Sequence, residues 1–313
     1  MHDESMSGTL PLPPHRPGGY NVVIITLDQH AAGPAARALP RLQHDFPDNH
    51  VSVHAAAEWS ENPAKLAAAK AAVLNANIVV ANLLFIDEHL QMIVPEMQAV
   101  RDTLDAFVGM VADPQVVRRT KMGDLDMTKP ASGPMALLKK LRGKNEPGAG
   151  SAEKQMSMLR TIPKMLKFIP GKAQDLRAWF LCMQYWLGGS EDNIESMVRY
   201  LVGRYADNRD WRGIKAAAPI DYPEVGLYHP DMPGRITTDP SKLPQPANPV
   251  ATIGLLMLRS YILAKDTAHY DAVIRELQAH GVAVLPAFAG GLDGRPVIEE
   301  FLHGKIDTLL SLS

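Results

Sequence analysis

"YNVVIITLD", residues 20–28, is the stretch on which the fold turns. Its four consecutive β-branched residues, Val22, Val23, Ile24 and Ile25, leave neither face polar. Such a strand belongs inside a parallel sheet covered on both sides, whereas a half-solvated antiparallel strand would alternate. A parallel neighbour needs a crossover long enough to hold a helix, and the sequence supplies one each time. An alanine-rich segment from Pro34 to His44 predicts a helix, with Pro34 in a first turn where its missing N–H costs nothing. "HVSVHAAA" (50–57) predicts a second strand, and "NPAKLAAAKAAVLN" (62–75) a helix capped by Asn62 and opened by Pro63. "ANIVVANLLFID" (76–87) predicts a third strand, and "EHLQMIVPEMQAVRDTLDAF" (88–107) a helix that Pro95 kinks or restarts. "FVGMVAD" (107–113) is a fourth strand and "PQVVRRTKMG" (114–123) a short helix. The alternation predicts an α/β fold with a flavodoxin-like parallel sheet over residues 20–174, a fold class that by itself assigns no function.

The rest of the chain extends this plan. At 313 residues it is long enough for two domains, each with its own core. With 46% hydrophobic and 21% charged residues it has the profile of a soluble globular protein. A net charge of −2 gives no global field for nucleic acid. The single cysteine, Cys182, excludes an intrachain disulfide and argues against cysteine-based zinc sites, which fits a reducing cytoplasmic setting. Residues 1–19 are acidic and proline-rich, lack the apolar core of a signal peptide, and are expected to be a flexible leader. No apolar run reaches the roughly 18 residues needed to span a bilayer, so at most peripheral membrane contact is expected.

Residues 118–177 carry fourteen Lys/Arg against five Asp/Glu, about +9, which leaves about −11 for the remainder. The Gly/Pro/Ser-rich centre of "ALLKKLRGKNEPGAGSAEKQ" (136–155) predicts a mobile loop. A helical connector is expected over 175–215, where Leu176, Trp179, Phe180, Met183, Trp186 and Leu187 keep the i, i+3, i+4 rhythm of a buried face. A second α/β domain is expected over 220–313. It begins with the strand at Val225, followed by "ATIGLLML", a helix capped by Asp266 or Thr267 and stopped by Gly281, then "VAVLPAF", a helix "GRPVIEEFLHG" and a strand "IDTLLSLS". A parallel strand that ends the chain without helical cover predicts truncation within the domain.

Candidate site residues sit at strand ends and in the basic stretch. Asp28 and His30 follow the first strand, and Asp87, Glu88 and His89 the third. In open α/β sheets that carboxyl edge takes ligands. Asp28, Asp87 and Glu88 form a candidate cluster for a hard cation such as Mg²⁺, or else solvated residues at helix N-termini. His229 ends the run "VGLYHPDMPG" (225–234) and is expected in a loop at the carboxyl edge of the second sheet. There it either meets a ligand or bonds neighbouring backbone in a proline turn. Gly290, Gly291 and Gly294 in "AGGLDGRP" allow either close approach of a flat ligand or an ordinary turn. "PKMLKFIPGK" (163–172) sets Met165, Leu166 and Phe168 beside Lys164, Lys167 and Lys172. That composition suits a flat apolar acid, an acidic partner, an anionic membrane face, or a solvated helix whose lysine stems cover apolar surface. The chain has neither GxxxxGK[ST] nor GxGxxG after a strand, which argues against ATP hydrolysis by this chain.

"PVATIGLLMLRSYILAKDTAHYDAVIRELQAHGVAVLPAFAGGLDGRPVIEEF" (249–301) resembles the signature region of the CobN/magnesium chelatase family of large subunits. "VVIITLD" and "IPKMLKFIPGKAQDLRAWFLCMQYWLGGSEDNIESMV" resemble the N-terminal region of the bacteriochlorophyll-type magnesium chelatase large (H) subunits, so the likeness runs from about residue 20 to the end. The resemblance implies the N-terminal portion of a longer polypeptide. That polypeptide binds protoporphyrin IX and inserts Mg²⁺, both as substrates, while ATP is hydrolysed by a partner AAA+ ATPase. The partners implied are the I and D subunits. It implies no catalytic residue within this chain, since those of the family lie beyond Ser313. On this footing His229, Lys164, Lys167 and Phe168 are candidate porphyrin contacts. A non-catalytic tetrapyrrole-binding or scaffolding module and a cobaltochelatase large-subunit fragment remain the alternatives.

Overall fold

The computed structural model describes residues 19–27, 29, 31–130, 151–207, 211–290 and 293–312, with side chains of 151–158 left aside. The expected leader and most of the expected mobile loop lie outside the described residues. The chain divides into two units, residues 1–187 with 192–219, and 188–191 with 220–313.

In the first unit, β1 (Tyr20–Thr26), β2 (Asn49–Ala55), β3 (Ile78–Asn82) and β4 (Ala106–Met110) are parallel in the order β2-β1-β3-β4. This is the expected flavodoxin-like order. Between them run α1 (Ala32–Asp45), α2 (Pro63–Leu74) and α3 (Asp87–Val100). Asn62 caps α2, its Oδ1 accepting from Lys65 N at 3.3 Å, with Pro63 in the first turn. Pro95 lies inside a single continuous α3. That helix ends at Val100, short of the expected 107, because Ala106 and Phe107 are drawn into β4.

The region expected as one short helix after β4 is different. Only α4 (Pro114–Val117) is helical, with Asp113 Oδ1 accepting from Gln115 N. The chain then turns back as β5 (Lys121–Met122) and β6 (Leu125–Asp126), antiparallel strands that close that edge of the sheet. Gly123, at φ +54°, makes the turn, and a Cβ there would lie 2.7 Å from Asp175 Oδ2.

Both faces of the sheet are dry. Val23, Ile25, Val79, Ala81 and Phe107 pack beneath α2 and α3. Val22, Ile24, Ile78, Val80, Val108 and Met110 face α1. The same face meets α5 (Ser151–Leu166), α6 (Lys172–Gly188) and α7 (Glu191–Tyr205). Leu176, Phe180 and Met183 of the expected connector are core residues here, and Trp179 Nε1 donates to Gly109 O at 2.9 Å. α6 also repairs α5. Pro163 offers no N–H to the Leu159 carbonyl one turn back, and Gln184 Nε2 donates to that oxygen at 2.6 Å. Ion pairs of Arg199 with Asp45 and Glu195 tie α7 to the end of α1 and hold the Asp45 carboxyl below its usual pKa.

Asp175 joins the β5–β6 turn to the helical layer. It is 6% exposed and accepts from Asp124 N (2.9 Å), Arg204 Nη2 (2.8 Å) and Tyr205 Oη (2.9 Å). Removing it strands three donors, one of them a guanidinium that is only partly solvated. Asp175→Ala is therefore expected to lower the unfolding free energy by about 2–3 kcal/mol, measured as a lower urea midpoint at unchanged slope.

In the second unit, β9 (Ala251–Leu258), β10 (Val282–Ala289) and β11 (Thr308–Ser311) are parallel, with β9 central. They are joined through α8 (Arg259–Leu263), α9 (Ala268–Ala279) and a short α10 (Arg295–Val297) that runs into a π turn over Ile298–Leu302. Gly281, at φ +75°, ends the turn after α9 as expected. Thr267 precedes α9 without a side-chain capping bond. One expectation fails. β7 (Val225–Tyr228) is antiparallel to β10 and forms a hairpin with β8 (Ile236–Thr237), so the sheet runs β11-β9-β10-β7-β8. No helix connects β7 to a parallel partner; Gly234 and Arg235, both at positive φ, turn the chain straight back.

Candidate functional site

The direction of β7 moves His229. Val225 lies beside Ala289 at the end of β10, and Leu227 beside Ala287. His229 thus leaves β7 toward the amino ends of the parallel strands, not toward their carboxyl edge. It is 1% exposed, and both ring nitrogens are engaged. Nδ1 accepts from Asp231 N at 3.2 Å, which leaves the proton on Nε2, 3.2 Å from Gln278 Oε1. Gln278 Nε2 in turn donates to Pro244 O at 2.7 Å. Tyr228 Oη donates to Asp271 at 2.6 Å, and Arg275 pairs with Asp231 at 2.6 Å. Positions 271, 275 and 278 share one face of α9, and that face holds the hairpin. The backbone-bonding alternative is the arrangement found, and a ligand would have to break these bonds to reach the ring.

Of the candidate carboxylates at the first sheet's edge, only two fall among the described residues. Asp28 and His30 lie outside the described residues. Asp87 and Glu88 are exposed in the first turn of α3, whose cap position is Ile86, where negative charge favours the helix dipole. Glu88 accepts from Ser60 Oγ at 3.0 Å. Among the described residues no three of His, Cys, Asp and Glu gather where they could hold a metal ion. Of the glycines, Gly291 is outside the described residues, and Gly290 packs so closely that a Cβ there would collide with the Glu224 carboxylate.

The corner between α5 and α6 carries the remaining candidates, Lys164, Lys167 and Phe168. Ile162 and Leu166 anchor the end of α5 in the core. Met165, Phe168 and Ile169 point outward, 57%, 84% and 42% exposed. The loop is pinned from inside: Gln174 Nε2 donates to Leu166 O, Lys167 O and Ile169 O at 2.8, 3.3 and 2.5 Å. Arg177 Nε reaches Pro163 O at 3.1 Å. The apolar side chains are thus held out by a rigid base. Lys164, Lys167 and Lys172 are exposed in the same stretch, with Lys167 Nζ 5.8 Å from the Phe168 ring centre. Leu166, expected beside Phe168, is buried because it lies one turn from Ile162. Ile169, not singled out from the sequence, takes its place; its signal was being just past the last core position. Exposed apolar side chains beside lysines in one turn are the composition that suits a flat or amphipathic partner.

These features sit in a two-unit α/β chain that two family models cover between them. Residues 21–180 match the family described as Domain of unknown function (DUF3479), and residues 183–313 match CobN/Magnesium Chelatase. The chain belongs to these families, the first domain followed by the second, in agreement with the resemblance read from the sequence. Over 308 residues it is 96% identical to the magnesium-chelatase H subunit of Rhodobacter capsulatus, covering 98% of this chain and 26% of that protein. Over 310 residues it is 66% identical to the magnesium-chelatase H subunit of Cereibacter sphaeroides, covering 99% and 26%. It is 33% identical over 248 residues to the chloroplastic magnesium-chelatase ChlH protein of Oryza sativa subsp. indica, covering 74% and 18%. The chain spans about a quarter of the length of the two bacterial relatives. Among solved structures, the catalytic component of cobaltochelatase from Mycobacterium tuberculosis superposes with a TM-score of 0.46 at 14% identity, covering 93% of this chain and 18% of that one. Among the described residues no helix is long and apolar enough to cross a membrane.

Burial holds the His229 pKa below its ordinary value. The unfolded chain therefore takes up this proton first as pH falls, so stability is constant above about pH 6.5 and declines below it. His229→Gln, which can keep one bond, is expected to flatten that decline. Unfolding free energies of both chains at about pH 7.5 and about pH 5.5, either side of the ordinary histidine pKa, check it; an unchanged slope would show that His229 is not the group responsible.

Proposed function

We propose that the chain is the N-terminal portion of the porphyrin-holding large component of magnesium chelatase, which inserts Mg²⁺ into protoporphyrin IX on the way to bacteriochlorophyll or chlorophyll. The observation that carries this is the 96% identity to a magnesium-chelatase H subunit across 98% of the chain. Mg²⁺ and protoporphyrin are substrates. ATP is spent by the partner I and D subunits, in keeping with the lack of a phosphate-binding motif in this sequence. The setting is the cytoplasm.

Within this chain the α5–α6 corner is the porphyrin contact. Protoporphyrin is a flat apolar ring with two propionates. It asks for an apolar surface with cations at its rim, and Phe168, Met165 and Ile169 with Lys164 and Lys167 provide both. His229 takes no part in this contact, because its nitrogens are spent on the hairpin. No residue of this chain is assigned to the insertion chemistry itself. A second reading makes the same corner a docking site for an acidic surface of a partner protein, favoured by the 84% exposure of Phe168.

Deuteroporphyrin titration, followed by quenching of the chain's four tryptophans, separates the two. Saturable binding is expected, with Phe168→Ala and the double change Lys164→Ala/Lys167→Ala each raising Kd by about tenfold, a loss of about 1.4 kcal/mol. His229→Gln should leave Kd unchanged. A folded chain that does not bind deuteroporphyrin would leave the corner as a docking surface.

A further inference from the structure

Two neighbouring buried side chains without hydrogen-bond partners among the described residues lie at one edge of the first sheet. Thr26 closes β1 and Asn82 closes β3, and the pairing of Ile25 with Ala81 sets them side by side on neighbouring strands. By strand alternation both belong to the face of Val22, Ile24, Ile78 and Val80. Both are 0% exposed, and among the described residues Thr26 Oγ1, Asn82 Oδ1 and Asn82 Nδ2 have no hydrogen-bond partner. On the opposite face of the sheet, Trp59 after β2 packs with Val23 and Ile25 and meets His89 at the start of α3 edge to face, ring centres 6.0 Å apart. Trp59 Nε1 and His89 Nδ1 are buried and also lack partners among the described residues.

The place is not arbitrary. Strand order reverses between β1 and β3, and at such a switch point the loops on either side diverge and leave room for a ligand. Unpartnered buried polar atoms work against folding, and a valine at 26 or a leucine at 82 would fill similar space without that cost. The atoms also define a chemistry. A carboxamide presents a donor and an acceptor side by side, the complement of a lactam or imide edge, and the Thr26 hydroxyl adds one of either kind. Among the described residues, Asp87 and Glu88 after β3 and Asp113 after β4 are acidic and oppose an anion. Phe85 and Ile86, on the loop after β3, are 56% and 48% exposed and offer apolar surface. Leu83 in that loop is held at φ 52°, its N–H bonded to Val111 O at 2.8 Å, with Val111 itself at φ 46°.

We propose that the β1/β3 edge binds a flat, uncharged heterocycle by its lactam or imide edge, with Asn82 and Thr26 taking that edge and Phe85 and Ile86 covering the ring once the 83–86 loop shifts. This site is separate from the α5–α6 corner and does not depend on the porphyrin reading.

Riboflavin is a suitable probe: neutral, flat, fluorescent, with an imide edge. Titration of the chain, read by flavin fluorescence, is expected to saturate. Riboflavin methylated on the imide nitrogen should bind about tenfold more weakly, the loss of one hydrogen bond in a dry site. Thr26→Val and Asn82→Leu should abolish binding and yet raise the thermal midpoint of the free chain, while Thr26→Ser, which keeps the hydroxyl, should bind. Deuteroporphyrin affinity should not change in any of them. Absence of saturable riboflavin binding overturns the proposal, as does equal affinity for the methylated ring. A lower midpoint in both Thr26→Val and Asn82→Leu overturns it too, since the orphaned atoms would then be serving the free fold through buried water.

Discussion

A parallel sheet with apolar side chains on both faces can leave neither face to water. That constraint organises the first unit. On one side α2 and α3 cover Val23, Ile25, Val79 and Phe107. On the other, α1 brings Ala35, Ala38 and Leu42 to the core, too narrow a stripe for four strands. The cover is completed by α6 and α7, from the far side of the basic stretch in sequence. Burying each such aliphatic side chain contributes about 1.5–3 kcal/mol, so the demand is strong enough to bring in segments more than a hundred residues away. Asp175, bonded to a turn at the sheet edge and to the end of α7, sets the position of that layer.

The same demand explains the shape of the candidate site. α5 must end where the sheet's cover ends, and Leu166 is its last buried position. The chain then turns through Lys167–Gly171 to start α6, with its carbonyls satisfied from within by Gln174 and Arg177. Once the backbone is satisfied inward, Met165, Phe168 and Ile169 have nowhere to go but outward. The exposed corner is a by-product of how two helices are joined, which makes it rigid, and rigidity lowers the entropy cost of binding a flat ligand.

His229 shows the limit of reading a strand end as a ligand edge. The run Val225–Tyr228 is a strand, as its apolar pattern indicates, yet nothing in those residues sets its direction in the sheet. The hairpin makes β7 antiparallel to β8, but its antiparallel pairing with β10 is a matter of tertiary structure. The result turns His229 from an edge residue into the central bond of a hairpin clamped by Asp271, Arg275 and Gln278 of α9.

The sequence by itself determined what depends on local pattern. A β-branched run marked β1 as doubly buried, and Asn62–Pro63 and Gly281 marked helix ends. The i, i+3, i+4 rhythm of Leu176, Phe180 and Met183 marked a core face, and the strand–helix–strand signature from Pro249 onward marked the family. These are readable because strands and helices repeat every two or 3.6 residues, within a window the eye can span. Only the tertiary structure decided the hairpin after β4, the direction of β7, the inward turn of Leu166 against the outward turn of Ile169, and the meeting of Thr26 with Asn82. Each of these depends on which distant neighbour a residue meets, and neighbours far apart in the chain leave no periodic trace in it.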